Sequence, residues 1–467
     1  MPYSQCLLPQ ELFDLILDDD DLGRKDFLSC AISFKAISDP ALKRVWGSMD
    51  SVFPFLRLLP NFRLVGNTYL LTSPLENASL CQFDYYLPMM KEFCCHPNGI
   101  YHTGDIFATI DDSVYTQLLQ IRLQPFPSLR NFDITFQGPW SLITRIFMSS
   151  SLAEASFSFP DEFGGEPLDT DTYMSTFADA VEQNAPNFHR LTVDSMYSPQ
   201  ERLHVFPAIS RLSNLRYFSI VETGYETRVA LLQDIQSLGH LANLEELRLS
   251  MDVTLFDAEE PSESSQVQLR TSPNFFPNLK KAFLDIEAES VVVEILNSWQ
   301  NTPLEYLEFE DRNEKPDKDP KLEDLLQMIT WPKSLTHFDF TAIVDLNMFI
   351  QALKGVSLRF LTIYPLNTVT ETDFSVICST WPQLTVLHVK CITERNHLPT
   401  AKVFRTLCER CPKLEEVTLD VNLFSLPTLR KYMASTSSVH HSIPILTHFG
   451  FSSSVYALWV KKPLHRD

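Results

Sequence analysis

The amino-acid sequence predicts an α/β solenoid, in which short parallel strands lie inside and helices lie outside. The first observation is an apolar triad at positions i, i+3 and i+5, as in Leu244, Leu247 and Leu249. Side chains alternate along an extended chain, so the last two of these residues share one face. The spacing occurs in twelve places. The other copies are Leu129/Phe132/Ile134, Leu152/Ala155/Phe157, Phe188/Leu191/Val193, Leu215/Phe218/Ile220, Leu279/Ala282/Leu284, Leu304/Leu307/Phe309, Leu335/Phe338/Phe340, Leu358/Leu361/Ile363, Leu384/Leu387/Val389, Leu414/Val417/Leu419 and Leu446/Phe449/Phe451.

The regular return of the triad is the second observation. From Leu129 to Leu446 the steps average about 29 residues, at the upper end of the range for leucine-rich repeats. One such strand cannot bury its own apolar face, so the copies must stack and share a core. Ordinary strands in a closed two-layer domain are the alternative, but they do not require so regular a restart.

The third observation is a change of apolar period between the triads. Helical periodicity occurs in Tyr173–Gln183, Val291–Trp299, Leu322–Ile329, Leu346–Lys354 and Lys402–Arg410. A proline two residues before the triad separates helix from strand in five copies, namely Pro127, Pro186, Pro277, Pro382 and Pro412. Strands inside and helices outside predict a horseshoe.

Three short helices are predicted before the repeats. The first spans Leu8 to Leu17, with Pro9 at the first helical position, and it should stop at the aspartates of residues 18–21 because acidic side chains are unfavourable at a helix C-terminus. The second runs from about Lys25 to Phe34. The third begins at Pro40, with Ser38 or Asp39 as its cap. Three helices this short bury little surface, so their apolar faces should seek a partner.

A recognisable pattern runs through these N-terminal helices. It consists of Leu8, Pro9, Glu11, Leu12, Ile16, Leu17, Cys30, Ala31, Lys35, Trp46 and the run from Ser38 to Leu42. The pattern resembles an F-box. Proteins that join an F-box to leucine-rich repeats are substrate receptors of cullin-RING ubiquitin ligases of the SCF type. The resemblance implies contact with a Skp-type adaptor, and through it a cullin, by Leu8, Pro9, Leu12, Ile16, Leu17, Leu28 and Trp46.

A helical cap for the solenoid is the alternative for the N-terminal helices, since terminal repeats also need an apolar face covered. We expect three segments: an F-box at 1–48, a connecting segment and N-terminal cap at 49–124, and a leucine-rich-repeat solenoid of about twelve irregular repeats at 125–467. The middle segment should contain amphipathic helices around Leu80–Met90 and Ser113–Arg122. Tyr456, Leu458 and Trp459 could cover the last repeat.

The strand positions between the buried ones point to the concave face of the predicted solenoid. Aromatic and arginine side chains in such a strip are typical of protein recognition, although each alone is more often neutral surface. We therefore predict that an unknown protein target contacts Tyr217, Arg248, Lys281, Phe283, Tyr306, His337, Phe360 and His388.

Charge and cysteine content limit which partners and which cell compartment we expect. The formal charge is −21 without a dense basic stripe, so neither nucleic acid nor an anionic membrane surface is an expected partner. The nine cysteines are an odd number without a small-domain framework, which favours reduced thiols in the cytoplasm or nucleus. No uninterrupted apolar run is long enough for a membrane span.

No catalytic residue, metal site or cofactor is expected. Cys408 and Cys411 have metal-ligand spacing, but no second pair follows, and Cys411 falls at a helix-to-strand junction where a small apolar residue packs. The sequence contains no nucleophile-elbow, metalloprotease or phosphate-loop motif. Two acidic insertions, at 160–171 and 257–274, are most simply tolerated loops.

Two functions follow from this organisation. The first is a non-catalytic receptor that recruits a protein for ubiquitination. The second is a leucine-rich-repeat interaction scaffold with a degenerate F-box and no ligase role. They differ in whether residues 8–46 bind the adaptor; an enzyme is a distant third.

Overall fold

The computed structural model describes eighteen stretches of the chain. These are residues 10–19, 21–33, 35–77, 80–95, 102–103, 106–107, 109–135, 141–159, 170–194, 205–224, 228–252, 275–286, 289–310, 326–365, 369–389, 403–420, 446–451 and 456–461. The chain divides into two compact units. The first comprises Met1–Ser198 and Leu203–Phe218, and the second comprises Pro199–Arg202 and Ser219–Asp467.

Helices and strands alternate along most of the chain. The helices are α1 (Gln10–Leu17), α2 (Arg24–Ser33) and α3 (Lys35–Gly47), followed by Phe53–Leu56, Cys81–Tyr86, Asp112–Ile121, Ser141–Phe147, Thr170–Asn184, Phe206–Ile209, Arg228–Leu238, Glu289–Ser298, Leu346–Ala352, Glu371–Thr380 and Val403–Arg410. The strands are β1 (Ser48–Met49), β2 (Phe62–Val65), β3 (Thr68–Leu71), β4 (Glu92–Cys95), β5 (His102–Thr103), β6 (Ile106–Phe107), β7 (Thr109–Ile110), β8 (Asn131–Thr135), β9 (Glu154–Ser158), β10 (Arg190–Asp194), β11 (Tyr217–Gly224), β12 (Glu246–Asp252), β13 (Lys281–Ile286), β14 (Tyr306–Glu310), β15 (His337–Val344), β16 (Phe360–Pro365), β17 (Val386–Val389), β18 (Glu416–Asp420), β19 (Leu446–Phe451) and β20 (Tyr456–Lys461).

The fold is an α/β leucine-rich-repeat solenoid, as the sequence predicts. In the first unit, β1, β4, β8, β9 and β10 are consecutive parallel neighbours. In the second unit, β12 to β18 are parallel in chain order. Small sheets of β2, β3 and β7, and of β5 and β6, lie in the first unit.

The predicted triads stand in register from strand to strand. In the second unit their middle residues pair in one row: Leu247, Ala282, Leu307, Phe338, Leu361, Leu387 and Val417. In all of the first eleven copies the triad side chains are at most 6% exposed. Helices cover this face; Phe349, for example, packs 5.8 Å from Phe338 and 5.2 Å from Phe340 between ring centroids.

The twelfth copy departs from the predicted parallel arrangement. Strand β19, which contains it, pairs antiparallel with β20, and β20 pairs antiparallel with β18. The sheet therefore ends with a reversed pair. The strand bearing Tyr456, Leu458 and Trp459 lies between β18 and β19, where it pairs with the last parallel strand. The prediction of twelve parallel copies is wrong for the last one, because triad spacing specifies a face and not a strand direction.

Two parallel strands precede the first predicted repeat. Strand β1 pairs with β4, and β4 pairs with β8. Met90 and Phe93, both buried, and Cys95 repeat the i, i+3, i+5 spacing in the segment that the sequence analysis treats as a cap. The predicted boundaries at residues 48 and 124 stay predictions, whereas the division into compact units falls near residues 198 and 218.

Within each unit, a shared backbone carbonyl joins neighbouring repeats. The carbonyl oxygen of Glu245 accepts hydrogen bonds from the amides of Lys280 and Lys281, and that of Lys280 accepts from Glu305 and Tyr306. Six such links follow one another in the second unit and four in the first, with distances of 2.7–3.1 Å. Every link uses the residue after the triad's first position, so the backbone groups at the strand starts are satisfied without side chains.

Three asparagine side chains form hydrogen bonds to the backbone at turns, and these contacts were not predicted from the sequence. The amide nitrogen of Asn187 donates to the carbonyl of Ser150, that of Asn214 to Pro186, and that of Asn278 to Ala242. Each asparagine immediately precedes the first residue of a triad. In the sequence, a Pro-Asn or Ser-Asn pair directly before Phe188, Leu215 and Leu279 marks these turns.

The helix predictions are confirmed in position but were incomplete. Predicted Tyr173–Gln183, Val291–Trp299, Leu346–Lys354 and Lys402–Arg410 each match a helix within a few residues, whereas Leu322–Ile329 is described only from residue 326. Five helices were not predicted: Phe53–Leu56, Ser141–Phe147, Phe206–Ile209, Arg228–Leu238 and Glu371–Thr380. The acidic insertions lie outside the described residues, apart from residues 170 and 171, which begin a helix.

The N-terminal helices match the prediction except at one boundary. Helix α1 ends at Leu17, directly before the aspartates, as predicted. Helix α3 begins at Lys35 rather than at Pro40, which lies inside it. Proline removes one hydrogen bond to the carbonyl four residues earlier. The helix continues through it because Ile37, Ala41 and Val45 form a buried stripe spaced by four residues.

Gly239 lies against the ring of Phe275, so a substitution there tests the described packing. A Cβ atom there would lie 2.0 Å from Cε2 of Phe275, a buried ring that contacts Phe276 at 4.7 Å between centroids. Gly239→Ala should therefore lower the free energy of unfolding by about 1–3 kcal/mol through overpacking. Thermal unfolding of the full chain, followed by circular dichroism, measures this effect.

Gly355→Ala is the matched control. No atom lies within 4 Å of its added Cβ, and its backbone is not left-handed. The midpoint of unfolding should stay the same or rise slightly, since alanine reduces the entropy of the unfolded chain. Equal destabilisation by both variants would contradict the packing described around Gly239.

Candidate protein-binding surfaces

The strand face opposite the helices in the second unit carries most of the predicted target-binding residues. We call it the open face. Its first row, two positions after each triad begins, aligns Glu246, Lys281, Tyr306, His337, Phe360, Val386 and Glu416. Its second row, two positions further on, aligns Arg248, Phe283, Glu308, Asp339, Thr362, His388 and Thr418. Most of these side chains are partly or fully exposed, while Thr362 and Thr418 are buried.

Five rings on the open face form a continuous series, the aromatic strip. The ring centroids of Phe283 and Tyr306 are 5.2 Å apart, and those of Tyr306 and His337 are 6.1 Å apart. His337 stacks on Phe360 at 5.8 Å, and Phe360 meets His388 edge to face at 5.5 Å. The parallel register produces this series, because it places the five rings on five adjacent strands.

Charged groups close both ends of the aromatic strip. The guanidinium of Arg248 lies 3.8 Å from the centroid of the Phe283 ring and donates to Oε1 of Glu246 at 2.9 Å. Lys281 Nζ lies 4.0 Å from Glu246 Oε2. At the other end, Nε2 of His388 lies 3.5 Å from Oε1 of Glu416. All seven predicted contact residues of the second unit therefore lie in the two rows of the open face.

The environment shifts the pKa of two strip residues. Partial burial, with the hydrogen bond that the Tyr306 hydroxyl donates to Glu308 at 2.9 Å, raises the pKa of Tyr306 above its ordinary value. Partial burial, together with the nearby Arg359 guanidinium, lowers the pKa of His337 below 6.5. Near neutral pH both side chains are therefore uncharged. The centre of the strip presents rings rather than cations.

Tyr217, the remaining predicted target contact, lies in the first unit. Its ring packs under Arg190, whose guanidinium carbon is 3.5 Å from the ring centroid. Arg190 Nε also lies 3.9 Å from Oε2 of Glu154 on the neighbouring strand. Tyr217 is thus part of a separate aromatic and charged contact.

The N-terminal helices expose a second apolar surface. On α1, Leu12, Leu15 and Ile16 are 43%, 70% and 50% exposed. On α2, Leu28 and Ile32 are 40% and 85% exposed, and no described side chain of this helix is buried. Both helices pack against α3. We call these five residues the helical apolar surface.

The other predicted adaptor contacts fall into two groups. Leu17 is only 2% exposed, and Trp46 lies between Phe55 and Tyr86, with both ring-centroid distances at 4.7 Å. Leu17 therefore belongs to the chain's own core, whereas Trp46 is half-buried and packs on two rings of the first unit. Leu8 and Pro9 lie outside the described residues. Leu15 and Ile32 are exposed members of the surface that the predicted residue set lacks, although both stand one helical turn from a member of it.

The helices join the sheet of the first unit without a linker. Helix α3 ends at Gly47 and β1 begins at Ser48. The Gly47 carbonyl accepts from the amide of Lys91 at 2.8 Å, and Arg24 donates to the Ser48 carbonyl at 2.9 Å. Asp18 forms an ion pair with Arg44, which ties α1 to α3. The helical apolar surface is therefore held on the first strands of the solenoid.

The described residues also bear on metal binding and membrane spans. Across the described ranges, no three histidine, cysteine, aspartate or glutamate side chains form a group that could hold a metal ion. Cys411 is buried at its helix-to-strand junction, while the side chain of Cys408 lies outside the description. Among the described helices, none combines the length and apolar character needed to cross a bilayer.

Comparisons with known proteins give distant structural likenesses. No protein-family model and no curated protein matches the sequence. An internalin from Listeria monocytogenes is 13% identical, with 75% of this chain and 86% of that chain covered and a TM-score of 0.32. The leucine-rich repeat-containing protein LegL7 from Legionella pneumophila is 13% identical, with coverages of 67% and 99% and a TM-score of 0.38.

A third structure is the leucine-rich-repeat ectodomain of the receptor kinase GASSHO1/SCHENGEN3 from Arabidopsis thaliana, in complex with Casparian strip integrity factor 2. It is 12% identical, with 74% of this chain and 39% of that chain covered and a TM-score of 0.26. At these scores the fold assignment rests on the strand register of the chain itself.

The lowered pKa of His337 makes a prediction about pH. Below about pH 6.5, His337 binds a proton in the unfolded chain but stays largely unprotonated in the folded chain. The free energy of unfolding therefore decreases as the pH drops through about 6.5. An NMR titration of the histidine-labelled full chain, with His337→Gln assigning the resonance, should give a pKa below 6.5.

Arg359→Gln separates the two causes of this shift. Removing the guanidinium should raise the pKa of His337, but burial should keep it below the ordinary value because burial is the larger cause. A wild-type pKa at or above 6.5 would contradict the described packing of the strip.

Proposed function

We propose that this chain is a non-catalytic substrate-recognition subunit of an SCF-type ubiquitin ligase. Its N-terminal helices dock on a Skp-type adaptor, which links the chain to a cullin, and its open face binds a protein target. The observation that carries the proposal is the helical apolar surface, because it coincides with residues of the F-box resemblance.

The exposed side chains on α1 and α2 favour a protein partner. Leu12, Leu15 and Ile16 are spaced i, i+3 and i+4, and Leu28 and Ile32 are spaced i and i+4, so each set lies on one helix face. Fully burying one such side chain contributes about 1.5–3 kcal/mol. Helix α2 has no buried residue of its own, so covering this face adds apolar contact that the isolated chain lacks.

The direct junction between helices and sheet suits a ligase receptor. Ubiquitin transfer depends on holding the target near the transferred group, and proximity supplies the rate without chemistry from this chain. A flexible tether would spread the docked chain over many orientations. The Trp46 packing and the Lys91 to Gly47 hydrogen bond instead fix the helices on the first strands.

The aromatic strip supports a protein as the target. Protein interfaces concentrate binding energy in a few aromatic and arginine residues surrounded by polar groups. Tyr306, Phe360 and Arg248 supply such residues, and Glu246, Glu308 and Glu416 surround them. The stacked rings are already ordered by their neighbours, which lowers the entropy lost on binding.

An interaction scaffold without a ligase role is the second candidate. The observation that favours it is the internal use of Leu17 and Trp46, which leaves fewer of the predicted adaptor contacts available. In a scaffold, the helical apolar surface would receive a different protein, and the open face would keep its role.

Substitutions on the helical apolar surface separate these candidates. Leu12→Asp combined with Ile16→Asp should abolish co-purification of a Skp-type adaptor with the full chain, because two charges would have to be buried at the interface. Leu123→Asp is the matched control, since Leu123 is 85% exposed outside these helices. The adaptor should bind the control as it binds the wild type.

Circular dichroism of each variant should show an unchanged fold. If the adaptor does not bind the wild-type chain, or binds the double variant equally well, the ligase role is lost and the scaffold remains.

The aromatic strip predicts where targets bind. Tyr306→Ala and Phe360→Ala should each deplete the same set of proteins captured with the full chain from cell extract, measured by quantitative mass spectrometry. A hot-spot truncation costs about 2 kcal/mol or more, which is roughly a thirtyfold loss of affinity. Met328→Ala, at a side chain 66% exposed and outside the strip, should leave the captured set unchanged. Equal capture by all the variants would mean that targets bind elsewhere.

A further inference from the structure

The carboxylates beside the aromatic strip are distributed unevenly. Glu308 and Asp339 occupy the second row on the adjacent strands β14 and β15. Two positions further on, Asp285 and Glu310 pair in register on β13 and β14. Four acidic side chains therefore lie along one edge of the strip, on three neighbouring strands. Ser250 donates to Asp285 at 2.8 Å, and Tyr306 donates to Glu308 at 2.9 Å, so neutral groups orient two of them.

The lysine and arginine side chains in the two rows of the open face belong to strands β12 and β13, with Arg248 in the second row and Lys281 in the first. Both contact Glu246, which balances one of their two positive charges. The first three open-face positions of β14 and β15 contain no lysine or arginine; they are Tyr306, Glu308, Glu310, His337, Asp339 and Thr341. Arg359 precedes the first row of β16 and lies beside His337, at the opposite edge of the strip.

We propose that the occupant of the open face is an extended, basic segment of a partner protein, in which lysine or arginine stands next to an aromatic or aliphatic residue. This inference rests on the proposed target-binding role of the strip and specifies the chemistry of the target. The apolar residue contacts the rings of Tyr306 and Phe360, and the basic side chain reaches Glu308, Glu310 and Asp339.

The dimensions of the strip fit such a segment. Five adjacent strands spaced about 4.8 Å apart make a strip about 19 Å long. An extended chain advances about 3.3 Å per residue, so about six residues span it. The first and second rows lie about 6.6 Å apart along the strands, within reach of a lysine or arginine whose backbone follows the rings.

The chemistry of both rows favours a cation. Aromatic faces attract ammonium and guanidinium groups, because the ring face carries partial negative charge. Carboxylates form short charge-assisted hydrogen bonds with the same groups. The net charge of −21 attracts basic segments over longer distances and increases their association rate. An acidic peptide or a nucleic-acid backbone would meet the carboxylate edge with like charge.

Selection from a random twelve-residue peptide library on the immobilised full chain tests the inference. Enriched peptides should contain lysine or arginine beside an aromatic or aliphatic residue. The most enriched peptide, made as a fluorescein conjugate, should bind in an anisotropy assay with an affinity that falls as salt rises. Replacing its basic residues by glutamine should weaken binding.

Matched variants of the protein locate the contact. Phe360→Ala should weaken binding of this peptide about tenfold or more. Glu308→Gln and Glu310→Gln should each weaken it about twofold to fivefold, because glutamine keeps the shape and the acceptor for the Tyr306 hydroxyl but removes the charge. Glu409→Gln, on the helix Val403–Arg410, is the control and should bind like the wild type.

The outcomes separate this inference from the proposed function. If strip variants weaken binding but the selected peptides are acidic or neutral, or the glutamine variants bind normally, the basic-segment inference fails while the strip remains a target site. If no peptide is enriched, or if Phe360→Ala leaves the affinity for the selected peptide unchanged, the inference fails together with the target-binding part of the proposal. Co-purification of the adaptor is independent of all these results.

Discussion

The shared carbonyl between neighbouring parallel strands of each unit is the interaction on which the rest of the structure depends. In each link one carbonyl oxygen accepts from two successive amides of the next repeat, and the link recurs ten times in the described residues. The residues after it are therefore fixed in register. A slip of one residue would turn every triad toward the opposite face, so burial of the triads and the backbone links specify the same register. Neither feature depends on a particular side chain at the link, which explains how the repeats tolerate so irregular a sequence.

The same register turns a sequence pattern into a surface. Because positions two and four residues after each triad start must align, the side chains placed there form rows across the sheet. In the second unit those rows bring five rings into a series at centroid distances of 5.2–6.1 Å, with carboxylates along one edge. The ordering of each ring by its neighbours, and not one deep cavity, is what makes this face suited to an extended protein segment. Tyr306 and His337 at its centre are uncharged near neutral pH, and in the proposed complex the partner segment supplies a cation.

Much of the fold could be read from the sequence because its signals are local. Triad spacing marks the buried face of a strand, and the open-face residues follow from alternation, so Arg248 to His388 were predicted to share a surface and do. Strand direction is not local, and the antiparallel end formed by Leu446–Phe451 and Tyr456–Lys461 was therefore missed. The parallel strand at Glu92–Cys95 was not predicted, because its triad of Met90, Phe93 and Cys95 ends on a cysteine. Exposure is a tertiary property as well. The sequence could not show that Leu17 is buried and that Trp46 packs on Phe55 and Tyr86, while Leu15 and Ile32 remain exposed.

The chain thus carries two surfaces with different requirements. One is the helical apolar surface on the first strands, and the other is the open face of later strands, with its aromatic strip and acidic edge. We propose that the helical apolar surface binds a Skp-type adaptor. Hydrogen–deuterium exchange of the full chain, with and without saturating adaptor, tests this proposal. We expect slower exchange confined to Gln10–Leu17 and Arg24–Ser33, with no change on strands β12 to β18. Unchanged exchange in both helices, or protection that appears only on the open face, would contradict it.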